Sequence, residues 1–137
     1  MSALSISARV TGLPREGLLR LALKLDAVVT GVNGAAYLAA AGPLEDLLGV
    51  SSGLLRPLGA FLVLFAGAVW FVATRPRPPR AAVSAIVEAN AAWVVGSLVF
   101  LALGASSPTV VGGVWIALQA VVVAGFAALQ LAALRRA

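Results

Sequence analysis

Four apolar runs, each of about twenty residues or more, are divided by short polar or proline-rich breaks, and this leaves the chain few folds. The runs fall at about residues 16–41, 55–74, 81–103 and 109–134. A helix rises about 1.5 Å per residue, so each run covers the roughly 30 Å of a bilayer's hydrocarbon. No segment alternates apolar and polar residues with the period of a strand, and a membrane β-barrel would need many such segments. The expected fold is an all-α membrane protein: one domain over residues 1–137, an antiparallel four-helix transmembrane bundle with short loops. Composition agrees, with 61% apolar and 11% charged residues, where soluble domains carry about a quarter charged.

The breaks have their own chemistry. Gly42-Pro43 reads as the stop of the first run, and residues 44–52, with Glu45 and Asp46 among leucines, as a short amphipathic turn at the interface. Arg56-Pro57 reads as the opening of the second run, whose far end carries Trp70 and Phe71 as an interfacial aromatic belt. Thr74-Arg75-Pro76-Arg77-Pro78-Pro79-Arg80 is a rigid exposed connector, because its prolines prevent helix and its arginines prevent burial. Residues 104–108 make a tight turn of small residues. Residues 1–13 are weakly amphipathic and suit a surface helix, and Thr11 ahead of Pro14-Arg15-Glu16 marks a helix start. Ala39-Ala40-Ala41 imitates a signal-peptide cleavage site, but the run's length and its Asp26 and Asn33 identify a retained span.

Basic residues fix the expected orientation. In a four-span chain Arg9, Arg15, Arg20, Lys24, Arg75, Arg77, Arg80, Arg135 and Arg136 fall on one side, and Arg56 alone on the other. The positive-inside rule then places both termini and the middle connector in the cytoplasm, with the chain a multi-pass protein of the cell (inner) membrane. The net charge of +5 suits a face meeting anionic lipid. No aromatic residues interleave with a basic patch, so nucleic acid is not an expected partner.

Within the first run, Asp26, Thr30, Asn33 and Tyr37 occupy one stripe of a helix. An Asp in the centre of a span costs roughly 2.5–3.5 kcal/mol, so the stripe must face protein or a wet cavity. Beside it Ala27, Gly31, Ala35 and Ala39 recur every fourth residue and would let another helix approach, as would Gly59, Ala60 and Gly67 in the second run. Asn90, Trp93 and Ser97 share a face of the third run, with Glu88 about 200° away from Asn90. Trp115, Gln119, Phe126 and Gln130 share a face of the fourth.

Asp26 and Glu88 are the acids inside spans, both in the cytoplasmic half, and are the candidate catalytic pair, sharing a proton or acting as acid and base. Thr30, Asn33, Tyr37, Asn90, Trp93 and Gln119 are the candidate substrate-binding groups, able to orient a carbonyl or quinone. The simpler reading of the same groups is hydrogen-bonded glue between helices. Cys and His are absent, which removes thiol nucleophiles, disulfides and the usual zinc, copper and haem ligands; neither metal nor cofactor is expected. There is no phosphate-binding loop or nucleophile elbow.

Leu25-Asp26-Ala27, Asn33-Gly34, the connector from Gly42-Pro43-Leu44 to Leu48-Gly49, Leu58-Gly59-Ala60-Phe61-Leu62 and Asn90-Ala-Ala-Trp93 together resemble small uncharacterised bacterial four-span membrane proteins, loosely DoxX-like. The resemblance implies a four-helix membrane fold and carries over no catalytic residues. Three functions stay open: a structural or accessory bundle, oligomeric through its small-residue faces; an enzyme acting on an isoprenoid, quinone or other lipid; and a small proton-coupled transporter working as an oligomer. Membrane lipids are the expected partners, with a lipid-like or isoprenoid ligand under the second reading.

Overall fold

The computed structural model describes residues 15–103 and 108–135, which form five helices: α1 (Arg15–Ala39), α2 (Ala41–Leu48), α3 (Ser52–Thr74), α4 (Arg80–Leu103) and α5 (Val110–Arg135). The described residues contain no strand. α3, α4 and α5 are each long and apolar enough to cross a membrane, and α1 with α2, bent by 98°, makes a fourth if the pair counts as one span. The surface helix expected at residues 1–13 and most of the turn at 104–108 lie outside the described residues.

Two helix boundaries differ from expectation, both around proline. Gly42-Pro43 does not stop a helix; it lies in the first turn of α2, where a missing N–H goes unnoticed, and the chain bends at Ala40 instead. Likewise Arg56-Pro57 does not open α3, which begins at Ser52 with Ser51 as its cap, the Ser51 Oγ accepting from Leu54 N at 3.2 Å. Glu45, in the stretch expected as an amphipathic turn, accepts from Ser52 N at 3.0 Å and ties α2 to the start of α3.

α2 lies across one end of the long helices and is closed there by α5. Gly49 takes the left-handed conformation at φ 71°, and a Cβ on it would meet Thr109 N at 2.7 Å. The approach lets Thr109 satisfy two carbonyls at the end of α2: its N–H donates to Leu48 O (3.1 Å) and its hydroxyl to Leu47 O (2.7 Å).

Hydrogen bonds also give the directions of the long helices. Arg20, in the second turn of α1, donates to Ala73 O (3.1 Å), Arg75 O (3.1 Å) and Pro76 O (3.2 Å) at the end of α3. Gly34, late in α1, meets Gly59, early in α3. These two helices therefore run in opposite directions. Arg80, at the start of α4, donates to Leu134 O at the end of α5 (3.0 Å), so that pair does too. The guanidinium groups satisfy helix C-terminal carbonyls and the dipoles behind them. One end of the molecule thus gathers Arg20, Arg75, Arg77, Arg80 and Arg135, while α2 with Glu45 and Asp46, and Arg56, occupy the other.

Packing divides the helices into two pairs. α1 lies along α3 and α4 along α5; the pairs join through α1 and α5, and α3 and α4 barely touch. Leu19, Leu23, Val69, Val83 and Ala133 centre an apolar cluster at the arginine end, and Tyr37, Leu48, Val50, Leu55 and Leu62 centre another at the α2 end. The closest α1–α3 approach is made by Gly34 and Gly59; of the expected stripe, Gly31 also meets α3, a Cβ on it standing 3.3 Å from Ala66 Cβ, and Ala27 is buried, while Ala35 and Ala39 are exposed.

Candidate functional site

Between the two apolar clusters lies a buried polar clasp. Asp26 of α1 is fully buried, and each of its carboxylate oxygens is hydrogen-bonded. Thr30, one turn on, donates to Oδ1 at 2.9 Å, while Asn90 Nδ2 of α4 and Gln130 Nε2 of α5 both donate to Oδ2 at 2.8 Å. Asn90 Nδ2 also donates to Gln130 Oε1 at 3.1 Å. Three helices are thereby joined at one carboxylate, each polar group answering the desolvation of another.

Glu88 does not belong to this clasp. It is exposed, whereas Asn90, two residues later, is buried. Successive residues turn by about 100° on a helix, so a chain that points Asn90 inward must point Glu88 nearly the opposite way. The expected pair of acids therefore does not form, and the donors that Asp26 meets among the described residues are neutral.

A second set of bonds lies further along, towards α2. Trp93 Nε1 donates to Gln119 Oε1 (2.6 Å), and Gln119 Nε2 donates to Ser97 Oγ (3.0 Å) and Ile116 O (3.1 Å). Trp115 Nε1 donates to the Tyr37 hydroxyl at 2.8 Å, spanning from α5 to α1. These groups form the waist of a cleft that the missing α3–α4 contact leaves open. One lobe, of about 460 Å³, reaches from the waist to the clasp past Thr30, Asn33, Phe65 and Asn90. The other, of about 570 Å³, runs towards α2 past Tyr37, Leu58, Gly96, Ser97 and Phe100. Phe61, Ala89, Trp93, Trp115 and Gln119 line both. Ala89, Ala92 and Gly96 give α4 little side chain with which to fill the second lobe, and a Cβ on Gly96 would meet nothing within 4 Å. Among the described residues, no charged one lines either lobe.

The residues singled out in the sequence therefore separate into three places. Asp26, Thr30 and Asn90 hold the clasp; Tyr37, Trp93 and Gln119 hold the waist; Asn33 is half-buried on the cleft wall; Glu88 stands apart. Sequence reasoning put Gln130 and Trp115 on one face of the last run without assigning them to the site. The signal was present, since they share that face with Gln119, but one helix's periodicity does not name the neighbour it meets. Among the described residues no cluster of His, Cys, Asp and Glu is of a kind to hold a metal ion, and the cleft has room for an organic group. No family model matches the chain, and neither does a curated protein or a solved structure.

Proposed function

We propose that the protein is an integral membrane protein, an antiparallel four-helix transmembrane bundle of the DoxX-like kind, that holds an elongated, neutral, lipid-like molecule between its two helix pairs. The observation that carries this reading is the two-lobed cleft with its uncharged, mainly apolar lining. Each lobe is within the roughly 300–1,000 Å³ typical of small-molecule sites. Val95, Leu98, Val99, Val114 and Val121 are exposed on the outer faces of α4 and α5, a surface suited to acyl chains. A ligand would pass between α3 and α4 directly from the acyl layer. The Asp26 clasp serves this arrangement as the joint that keeps the helix pairs together while the cleft stays open. The two-acid mechanism would need Glu88 beside Asp26, and Glu88 is turned away.

Purification in mild detergent followed by native mass spectrometry tests the binding. The wild type should carry an apolar adduct, and Gly96→Leu, which adds a side chain into open space, should lose it while unfolding at an unchanged temperature. An adduct retained in full by Gly96→Leu, or a wild type with none, would reject the reading.

The arginine-rich end supports a cytoplasmic placement of that end in a bacterial inner membrane. Single cysteines are easily read in a chain that has none. Cysteine at Arg77 should resist a membrane-impermeant maleimide in intact cells and react after lysis, and cysteine at Asp46 should react in both. The reverse pattern would invert the orientation.

A further inference from the structure

Among the described residues, two hydroxyl groups of the second lobe have no acceptor for their protons. Tyr37 is only 6% exposed, its oxygen accepts from Trp115 Nε1 at 2.8 Å, and among the described residues its O–H proton has no acceptor. Ser97 Oγ accepts from Gln119 Nε2 at 3.0 Å, and its proton likewise reaches no carbonyl of the described residues. The ring nitrogens of Trp93 and Trp115 and the Gln119 amide in the same wall are all engaged. Leaving a buried donor unpaired costs about 1–3 kcal/mol, so the Tyr37 hydroxyl implies a missing acceptor, and the half-buried Ser97 hydroxyl in the same lobe is free to join it. Among the described residues no cation lines this lobe, so its lining disfavours a phosphate or carboxylate head.

We infer that the second lobe selects a neutral lipid bearing a carbonyl oxygen, which accepts from Tyr37 Oη–H and Ser97 Oγ–H while its tail lies along the apolar walls. The inference rests on the lipid-binding reading above and adds the chemistry of the head group. An ester of a membrane glycerolipid and a prenylated quinone present the same acceptor, so both belong in the test.

Dissociation constants are measured for the wild type, Tyr37→Phe, Ser97→Ala and Gly96→Leu in detergent micelles, by competition against a fluorescent apolar probe. The competitors are a long-chain methyl ester, a prenylated benzoquinone and a hydrocarbon of matching length. Tyr37→Phe and Ser97→Ala should each weaken the carbonyl-bearing competitors about 5–10-fold, the effect of one hydrogen bond, and leave the hydrocarbon unchanged. The carbonyl competitor that binds the wild type more tightly identifies the source. Equal weakening of hydrocarbon and carbonyl competitors, or no change in either variant, overturns the inference. If Gly96→Leu abolishes all binding while Tyr37→Phe and Ser97→Ala change none, the lipid-binding reading stands and the head-group assignment falls. If nothing competes on the wild type, both fall. Should Tyr37→Phe unfold because Trp115 loses its acceptor, Ser97→Ala decides alone, since Gln119 Nε2 keeps its bond to Ile116 O.

Discussion

Asp26→Ala lowers unfolding stability in detergent by about 2–4 kcal/mol, whereas Asp26→Asn stays within about 1 kcal/mol of the wild type. The alanine removes the acceptor shared by Asn90 and Gln130, and so two of the bonds that join α4 and α5 to α1. Each interhelical bond in such surroundings contributes about 0.6–2 kcal/mol, and the amides left behind face an apolar interior. Their own mutual bond, Asn90 Nδ2 to Gln130 Oε1, survives and limits the loss. Asparagine behaves differently. Its carbonyl oxygen replaces Oδ2 and keeps both amide donors, while its amide faces Thr30, whose hydroxyl can turn from donor to acceptor.

Replacing the interhelical part of the clasp should also be tolerated. Asp26→Leu/Asn90→Leu/Gln130→Met removes the acceptor together with both amides and leaves the Thr30 hydroxyl, which can turn to the carbonyl one turn back, so its stability should stay close to that of the wild type, while Asp26→Leu alone is severely destabilised. Reversible unfolding in mixed detergent, followed by circular dichroism, gives all four values. A large loss in Asp26→Asn would show that the clasp needs a charge, and a triple variant as weak as Asp26→Leu would show that its worth is not pairwise.

What the sequence made legible is what local chemistry decides. In a chain of such apolar runs the stripe of Asp26, Thr30, Asn33 and Tyr37 is expected to turn inward, and Asp26, Thr30 and Tyr37 are buried while Asn33 is half-buried. Arg75 to Arg80 had to interrupt the helices, and residues 75–79 do. The remainder depends on which helix meets which. A proline marks both the end of one helix and the first turn of the next, so Gly42-Pro43 reads equally well either way. Gln130 meets Asp26 across 104 residues of chain, and no spacing within the last run announces that. The cleft is harder still to read, since Ala89, Ala92 and Gly96 would as readily invite a close neighbour as leave a gap. Of the candidate site, Asp26, Thr30, Tyr37, Asn90, Trp93 and Gln119 are legible as polar groups within runs, whereas the parts played by Gln130, Trp115 and Ser97, the exclusion of Glu88 and the partition between clasp and waist are not.

Gly34→Ala should cost about 2 kcal/mol and Gly34→Val about 3 kcal/mol or more, while Gly67→Ala on α3 should gain about 0.5–1 kcal/mol. A Cβ at Gly34 would stand 2.8 Å from Leu62 Cβ and 2.9 Å from both Gly59 O and Val63 N; one at Gly59 would stand 2.7 Å from Gly34 O. Backbone atoms of another helix cannot swing aside as a side chain can, so the whole of α3 must move away from α1. At Gly67 a Cβ meets nothing within 4 Å, and alanine simply favours the helix. Gly34→Ala/Gly59→Ala should then cost less than the sum of its parts, because the first Cβ makes the separation that the second needs. The displacement has a functional consequence, since Tyr37 lies one turn beyond Gly34 and faces Trp115 across the cleft. Apolar-ligand affinity should therefore fall in Gly34→Ala and hold in Gly67→Ala. Equal affinities in the two would mean that the cleft's shape is set by α4 and α5 alone and not by the contact of α1 with α3.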